Sequence, residues 1–416
     1  MASALAALLG TGCSSVSIPN GISETAPSAT VNGVASSARS SPTSCSWTVV
    51  RSPNAAPSRY FEQLSRVTVV SSDDVWALGF VYVSEEGGAE RPLLLHWNGR
   101  TWRPSGDALG KTLSDISASS SSDVWAVGSG RNHGIAEHWN GSSWTASRLA
   151  APATKGWRLD GVLTLSPSNA WAVGMMRLGE RNSDGFGALI EHWDGTTWSI
   201  TPTPPLRPSV PGDIPYARLY SVAASGPNDV WAVGETGIGA PSIVSDTLVE
   251  HWDGAGWSVA QTPDVASPRG IAFDHLFSVA AVSSTDVWAV GSYGTTDATG
   301  GRGDHPLVLH WDGIRWTGAS TPPQQPSPLR WARLFGVAAD RTGAVWAVGS
   351  AGSGRKARPI ATTWDGQRWT ASLVPGPAGS RFKDVAVSPS GAIAWAVGSV
   401  IGPGVPEQTL TDRCTR

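Results

Sequence analysis

One recurring phrase constrains this chain more than any other feature. The segment Val-Trp-Ala-Val-Gly, or a close variant, ends at Gly79, Gly128, Gly174, Gly234, Gly291, Gly349 and Gly398. Its tryptophans (76, 125, 171, 231, 288, 346 and 395) stand 46 to 60 residues apart. A second motif, Trp-Asp/Asn-Gly-x-x-Trp, follows the first six copies at 97–102, 139–144, 193–198, 252–257, 311–316 and 364–369. A third, a short run of small residues such as SVAA at 221–224 and 278–281, precedes them. Self-similarity at such a period means one supersecondary unit copied along the chain, each copy burying its apolar face against the next.

Each unit reads as four strands. Strand a is the SVAA-type run. Strand b is the DVWAVG run, apolar on both faces as a strand covered from both sides must be. Strand c is the run before Asp-Gly or Asn-Gly, and strand d opens at the next Trp. Asp-Gly and Asn-Gly predict a two-residue hairpin turn, because both central residues of a type I′ turn need positive φ. That turn would set Trp252 opposite Ala255, with Trp257 diagonal to it on the same face. Seven four-stranded units predict an all-β fold, a seven-bladed β-propeller with its small-residue strand innermost.

Composition agrees. The 416 residues include 22 Trp, 48 Gly and 30 Pro, and only 15% are charged. So many rings need a core, which argues against disorder, and so much Gly and Pro argues against helical bundles. Twenty of the 22 tryptophans fall in three repeat columns, which we read as packing between blades. His96, His138, His192, His251 and His310 form another column, with Thr363 in blade six, and are read as structural rather than as metal ligands. A net charge of −3 gives no electrostatic reason to expect nucleic acid.

Seven strand-b motifs meet only six turn motifs. TLTDRC at 409–414 aligns with TLVEHW at 247–252, and SCSWTVVRSP at 44–53 aligns with GWSVAQTP at 256–263. Blade seven should therefore take strands a, b and c from the C-terminus and strand d from the N-terminus, leaving no free sheet edge. In this alignment Cys414 and Cys45 flank the place where the other blades have their turn. A Cys45–Cys414 disulfide is expected there, with the two cysteines directly opposed.

Residues 1–13, MASALAALLGTGC, resemble the end of a bacterial lipoprotein signal in which Cys13 would carry the lipid, although no Lys or Arg precedes the apolar run. Residues 14–44 are rich in Ser, Ala, Thr and Gly and suit a flexible tether. The expected layout is a signal segment (1–13), a tether (14–44) and a propeller (45–416), placed outside the cytoplasm, lipid-anchored or secreted, and monomeric.

The unit DVWAVG, a variable loop and then LVEHWDGTTWS-like residues resembles a kelch repeat, the group to which the central propeller of galactose oxidase belongs. The kelch glycine doublet is a single Gly here, as in WAVGS at 288–292. The resemblance covers 45–416 and implies binding on the face where the b–c and d–a loops vary. Kelch propellers carry arginines near the start of strand a, and some bind acidic peptides through them.

Residues matching that position are Arg158, Arg218, His275, Arg333 and Arg381, with Thr112 in blade two and Leu64 in blade one. Such a ring could receive a carboxylate, sulfate or phosphate, or each arginine could bond loop carbonyls or a neighbouring blade's carboxylate. Trp157 and Trp331, the two tryptophans outside the columns, could stack a sugar beside the ring or simply pack loops. Tyr216 and Tyr293 are weaker candidates, and Arg302-Gly303-Asp304 is an adhesion tripeptide that a Gly-rich chain can produce by chance. No metalloprotease, EF-hand, P-loop or nucleophile-elbow motif with a triad context is legible, and no cofactor or metal is implied. The leading expectation is a non-enzymatic propeller binding an anionic glycan or protein. The alternatives are a sialidase-like hydrolase or a lyase, or a structural part of an envelope assembly.

Overall fold

The computed structural model describes residues 46–54, 61–82, 90–106, 112–181, 184–205, 213–238, 244–263, 273–296, 302–319, 331–372, 374–404 and 406–416. Cys13, Cys45 and the tether lie outside them. The described strands form seven antiparallel four-stranded sheets, the blades of a seven-bladed β-propeller. In blades one to six the strands lie in chain order a-b-c-d. Blade seven is Ser380–Val387, Ile393–Ile401 and Glu407–Thr415, with Ser46–Val49 as its outer strand. No described residue is α-helical, and Gly354–Lys356 forms a 3-10 turn.

The tryptophan columns account for the fit between blades. Each strand-b Trp is at most 2% exposed. Six of them wedge into the tryptophan pair of the next blade's c–d hairpin, with ring centroids 5.0–5.6 Å away. Trp395 of blade seven does this to Trp97 and Trp102 of blade one, which closes the ring. The seventh, Trp346, meets Trp47 and Cys414 in one buried cluster, and the Arg416 guanidinium lies 4.3 Å above its ring. The histidine column is structural too: His251 stacks on Trp231 at 3.9 Å, and its Nε2 lies 2.6 Å from Asp229 Oδ1. Three further histidines repeat this with Asp74, Asp123 and Asp286, and His192 with Asn169.

The turn differs from expectation. Trp252 stands directly opposite Trp257, so four residues rather than two make the loop, and the rings face each other instead of lying diagonally. The cause is the side chain of Asp253, whose Oδ1 accepts hydrogen bonds from the amides of Ala255 (2.9 Å) and Gly256 (3.0 Å). Gly254 at φ +95° lets the backbone curl around that carboxylate. The longer loop also shifts the closure: Cys414 faces Trp47, so the two cysteines are not directly opposed. Cys414 is 1% exposed and disulfide-bonded.

Strand a carries a β-bulge in every blade, one residue after its buried Leu or Phe. The strand-b glycine makes it possible. A Cβ on Gly234 would lie 1.9 Å from the Arg218 carbonyl oxygen, and the six equivalent glycines show 1.7–2.1 Å to the matching carbonyl. The bulge crowds that carbonyl over strand b, and only a residue without a side chain fits beneath it.

Candidate functional site

The crowded carbonyls belong to Gln63, Thr112, Arg158, Arg218, His275, Arg333 and Arg381. These seven residues share one register position at the start of the innermost strands. In blade one the position is Gln63, because Gln63 pairs with Phe80 as Arg158 pairs with Met175; Leu64 is the next, fully buried residue. Four arginines and a histidine therefore ring the axial mouth on the face of the variable loops, each fixed at its backbone by a glycine.

Each basic side chain already has a carboxylate. Asp160, the bulge residue of blade three, is 4% exposed and takes Arg158 (Nε 2.8 Å) and a two-pronged Arg218 (Nε and Nη2, both 2.9 Å). Burial opposes the Arg218 charge, but Asp160 outweighs it and holds the guanidinium pKa above its usual value. His275 Nδ1 lies 2.7 Å from Glu235 Oε2, and Glu235 also accepts from Tyr216 and Tyr220. Burial raises the Glu235 pKa, yet His275, Tyr220 and Arg218 together hold it below the ordinary range. Arg333 Nε donates to Asp304 at 2.7 Å, and Arg381 lies 3.7 Å from Glu407 and donates to the Gly354 carbonyl at 3.3 Å. The arginines thus pair with carboxylates, several from a neighbouring strand or blade, rather than forming an open anion cradle.

The other candidates separate. Trp157 is 7% exposed and packs over Gly134, so it offers no face to a ligand. Trp331 is 40% exposed and stands two residues before Arg333 at the rim. Tyr216 is buried, and Tyr293 stacks on His305 at 5.1 Å. The Asp304 of the adhesion tripeptide is tied to Arg333. On the flank between blades three and four, Met176, Leu178, Phe186, Pro204, Pro215 and Tyr216 line a cavity of about 280 Å³. Among the described residues no cluster of three or more His, Cys, Asp or Glu is placed to hold a metal ion, and no helix is long and apolar enough to cross a membrane.

A second ring lies one step inward, at the bulge itself: Ser65, Ser114, Asp160, Tyr220, Phe277, Phe335 and Lys383. Its side chains meet across blades. Tyr220 and Phe277 are 6.0 Å apart edge to face, Phe277 and Phe335 are 5.6 Å apart, and the Lys383 ammonium lies 4.4 Å above the Phe335 ring. Arg218 covers the other end of this arc, 4.5 Å above Tyr220. Sequence reasoning passed over this column although it left a signal. In LSRV, LSDI, LDGV, LYSV, LFSV, LFGV and FKDV the second residue varies freely inside an otherwise uniform run. Only the bulge turns that position toward the axis.

Below the bulge, Arg66 lies between two carboxylates. Its Nε is 3.3 Å from Asp115, and it also acts on Asp384. Burial pushes Asp115 up to about 6 and Asp384 up to about 7, Arg66 pulling both the other way. Each Asp also accepts an amide hydrogen bond from the next blade, Val162 to Asp115 at 2.8 Å and Val67 to Asp384 at 2.9 Å.

No family model and no curated protein matches this chain. The fold and the side chains carry the functional reading.

Proposed function

We propose that the chain is a non-enzymatic, kelch-like binding propeller held outside the cytoplasm, lipid-anchored through Cys13 or secreted. It takes an anionic glycan or protein ligand at the axial mouth on its variable-loop face. A Cys45–Cys414 bridge staples the split blade, which accounts for the disulfide-bonded state of Cys414. The observation that carries the reading is the sector at blades six and seven. There the Arg333 side chain is 44% exposed, Arg381 and Lys383 stand beside it, and Trp331 is exposed at the rim. Cation and aromatic face together suit an anionic ligand better than a neutral one.

The test is a glycan array and a pull-down with wild type and a Trp331→Ala/Arg333→Glu variant, chosen because both side chains are exposed. Loss of the bound set in the variant is expected. Identical profiles, or no acidic species among those bound, would sink the proposal.

A further inference from the structure

We infer that the bulge ring beneath the mouth is a binding site for a carboxylate carried on an apolar group, with the carboxylate on Lys383 and the apolar part across Phe277 and Phe335. The inference rests on the axial-mouth reading above and names the ligand chemistry of its inner layer.

Three observations bear on it. The first is charge. The five basic residues of the outer ring all have carboxylate partners, whereas Lys383 makes no hydrogen bond or ion pair with any described residue, and its ammonium lies 4.4 Å above the Phe335 ring. Its surroundings are cationic: burial first, then Arg381, with Arg333 and Arg66 adding, pull its ammonium pKa below the usual value against Glu407 alone. An arriving carboxylate would supply the missing counter-charge.

The second is asymmetry. Blades four to six contribute Tyr220, Phe277 and Phe335 to the layer, and blades one to three contribute Ser65, Ser114 and Asp160. One side of the wall is aromatic and the facing side is mostly small, which leaves room beside half-buried aromatic faces.

The third is polarity. The polar atoms at the far end of the arc are spent on each other, Tyr220 on Glu235 and Arg218 on Asp160. Phe277 and Phe335 offer no hydrogen bonds at all. A sugar ring laid on them would leave its hydroxyls unmatched, whereas an aryl or alkyl group would not. The layer thus selects an apolar body with one anionic end.

Titration calorimetry and ligand-detected NMR with benzoate, phenylacetate and the tripeptide acetyl-Gly-Gly-Phe test this, with benzamide and the tripeptide amide as neutral controls. The acids should bind and the amides should not. Whether the free acids or the peptide binds more tightly separates a small-molecule source from a protein C-terminus. Lys383→Met, which keeps the stem over Phe335, should weaken the acids at least tenfold, and Phe335→Leu several-fold, with melting temperatures showing that both variants fold. No acid binding by wild type, equal binding of acids and amides, or unchanged affinity in Lys383→Met overturns the inference. Acid binding that survives Lys383→Met but is lost in Trp331→Ala/Arg333→Glu overturns it while leaving the axial-mouth reading intact.

Discussion

The carboxyl of Glu250 makes the wild-type propeller less stable as pH rises, and Glu250→Gln should remove its share of that dependence, leaving the shares of Glu191 and Asp412. Glu250 sits on strand c of blade four, is 0% exposed, and has neither carboxyl oxygen hydrogen-bonded. Burial pushes its pKa up from 4.5 to about 8. The folded protein therefore keeps the proton between roughly pH 4.5 and 8, whereas the unfolded chain releases it near its ordinary value. With the folded state binding more protons, stability falls across that window and levels off above it. At about 1.4 kcal/mol per pH unit, this one group removes on the order of 5 kcal/mol by pH 8. Gln cannot ionise, so the gap between variant and wild type should be small at pH 4.5 and grow to several kcal/mol at pH 8.5. Urea denaturation of both proteins at half-unit pH steps reads it directly. A gap that does not change with pH would show that Glu250 is not held neutral, and the argument from its burial would be refuted.

The remaining predictions concern packing, pairing and closure. Gly234→Ala should cost roughly 3 kcal/mol or more by driving a Cβ into the Arg218 carbonyl, whereas Gly226→Ala, with nothing within 4 Å, should change the melting point little. Trp288→Ala should cost about 3–5 kcal/mol in chemical denaturation, since it empties the wedge between blades five and six. Asp160→Asn should lower the melting temperature, because two guanidiniums lose their shared buried counter-charge. Cys414→Ala should cost roughly 4–5 kcal/mol if the bridge closes nearly the whole chain into a loop, and non-reducing peptide mapping should recover Cys45 with Cys414.

The architecture was legible because a repeat averages out local ambiguity. Seven copies of DVWAVG or a close variant fix the strand, the period and the buried face, and the split of blade seven follows from counting motifs. The site was legible only in part, because its column was read one residue too far along in blade one and its partners lie elsewhere in the chain. Asp160 reaches Arg218 from 58 residues away, and nothing in the local sequence of either predicts it. The bulge is the deeper reason. It breaks the two-residue alternation of strand a, so a period-two reading cannot tell which side chain turns to the axis. The turn miscount has a similar cause: Asp-Gly signals a tight turn, but the Asp side chain captures two amides and holds a longer one.

The closure of blade seven sets a schedule for folding. Thr48 donates to the carbonyl of Arg413, 365 residues later in the chain, so Ser46–Val49 waits for Glu407–Thr415 to be made. At about 5–20 residues per second, that wait lasts roughly 20–70 s. Throughout it Trp346 can pack against Phe382 and Ala396 but lacks Trp47 and Cys414, the neighbours that complete its buried cluster. Proofreading of this fold therefore falls on the last few residues: a chain cut short just before Glu407 would keep the two inner strands of blade seven against blade one but would leave Ser46–Val49 with no strand to pair with.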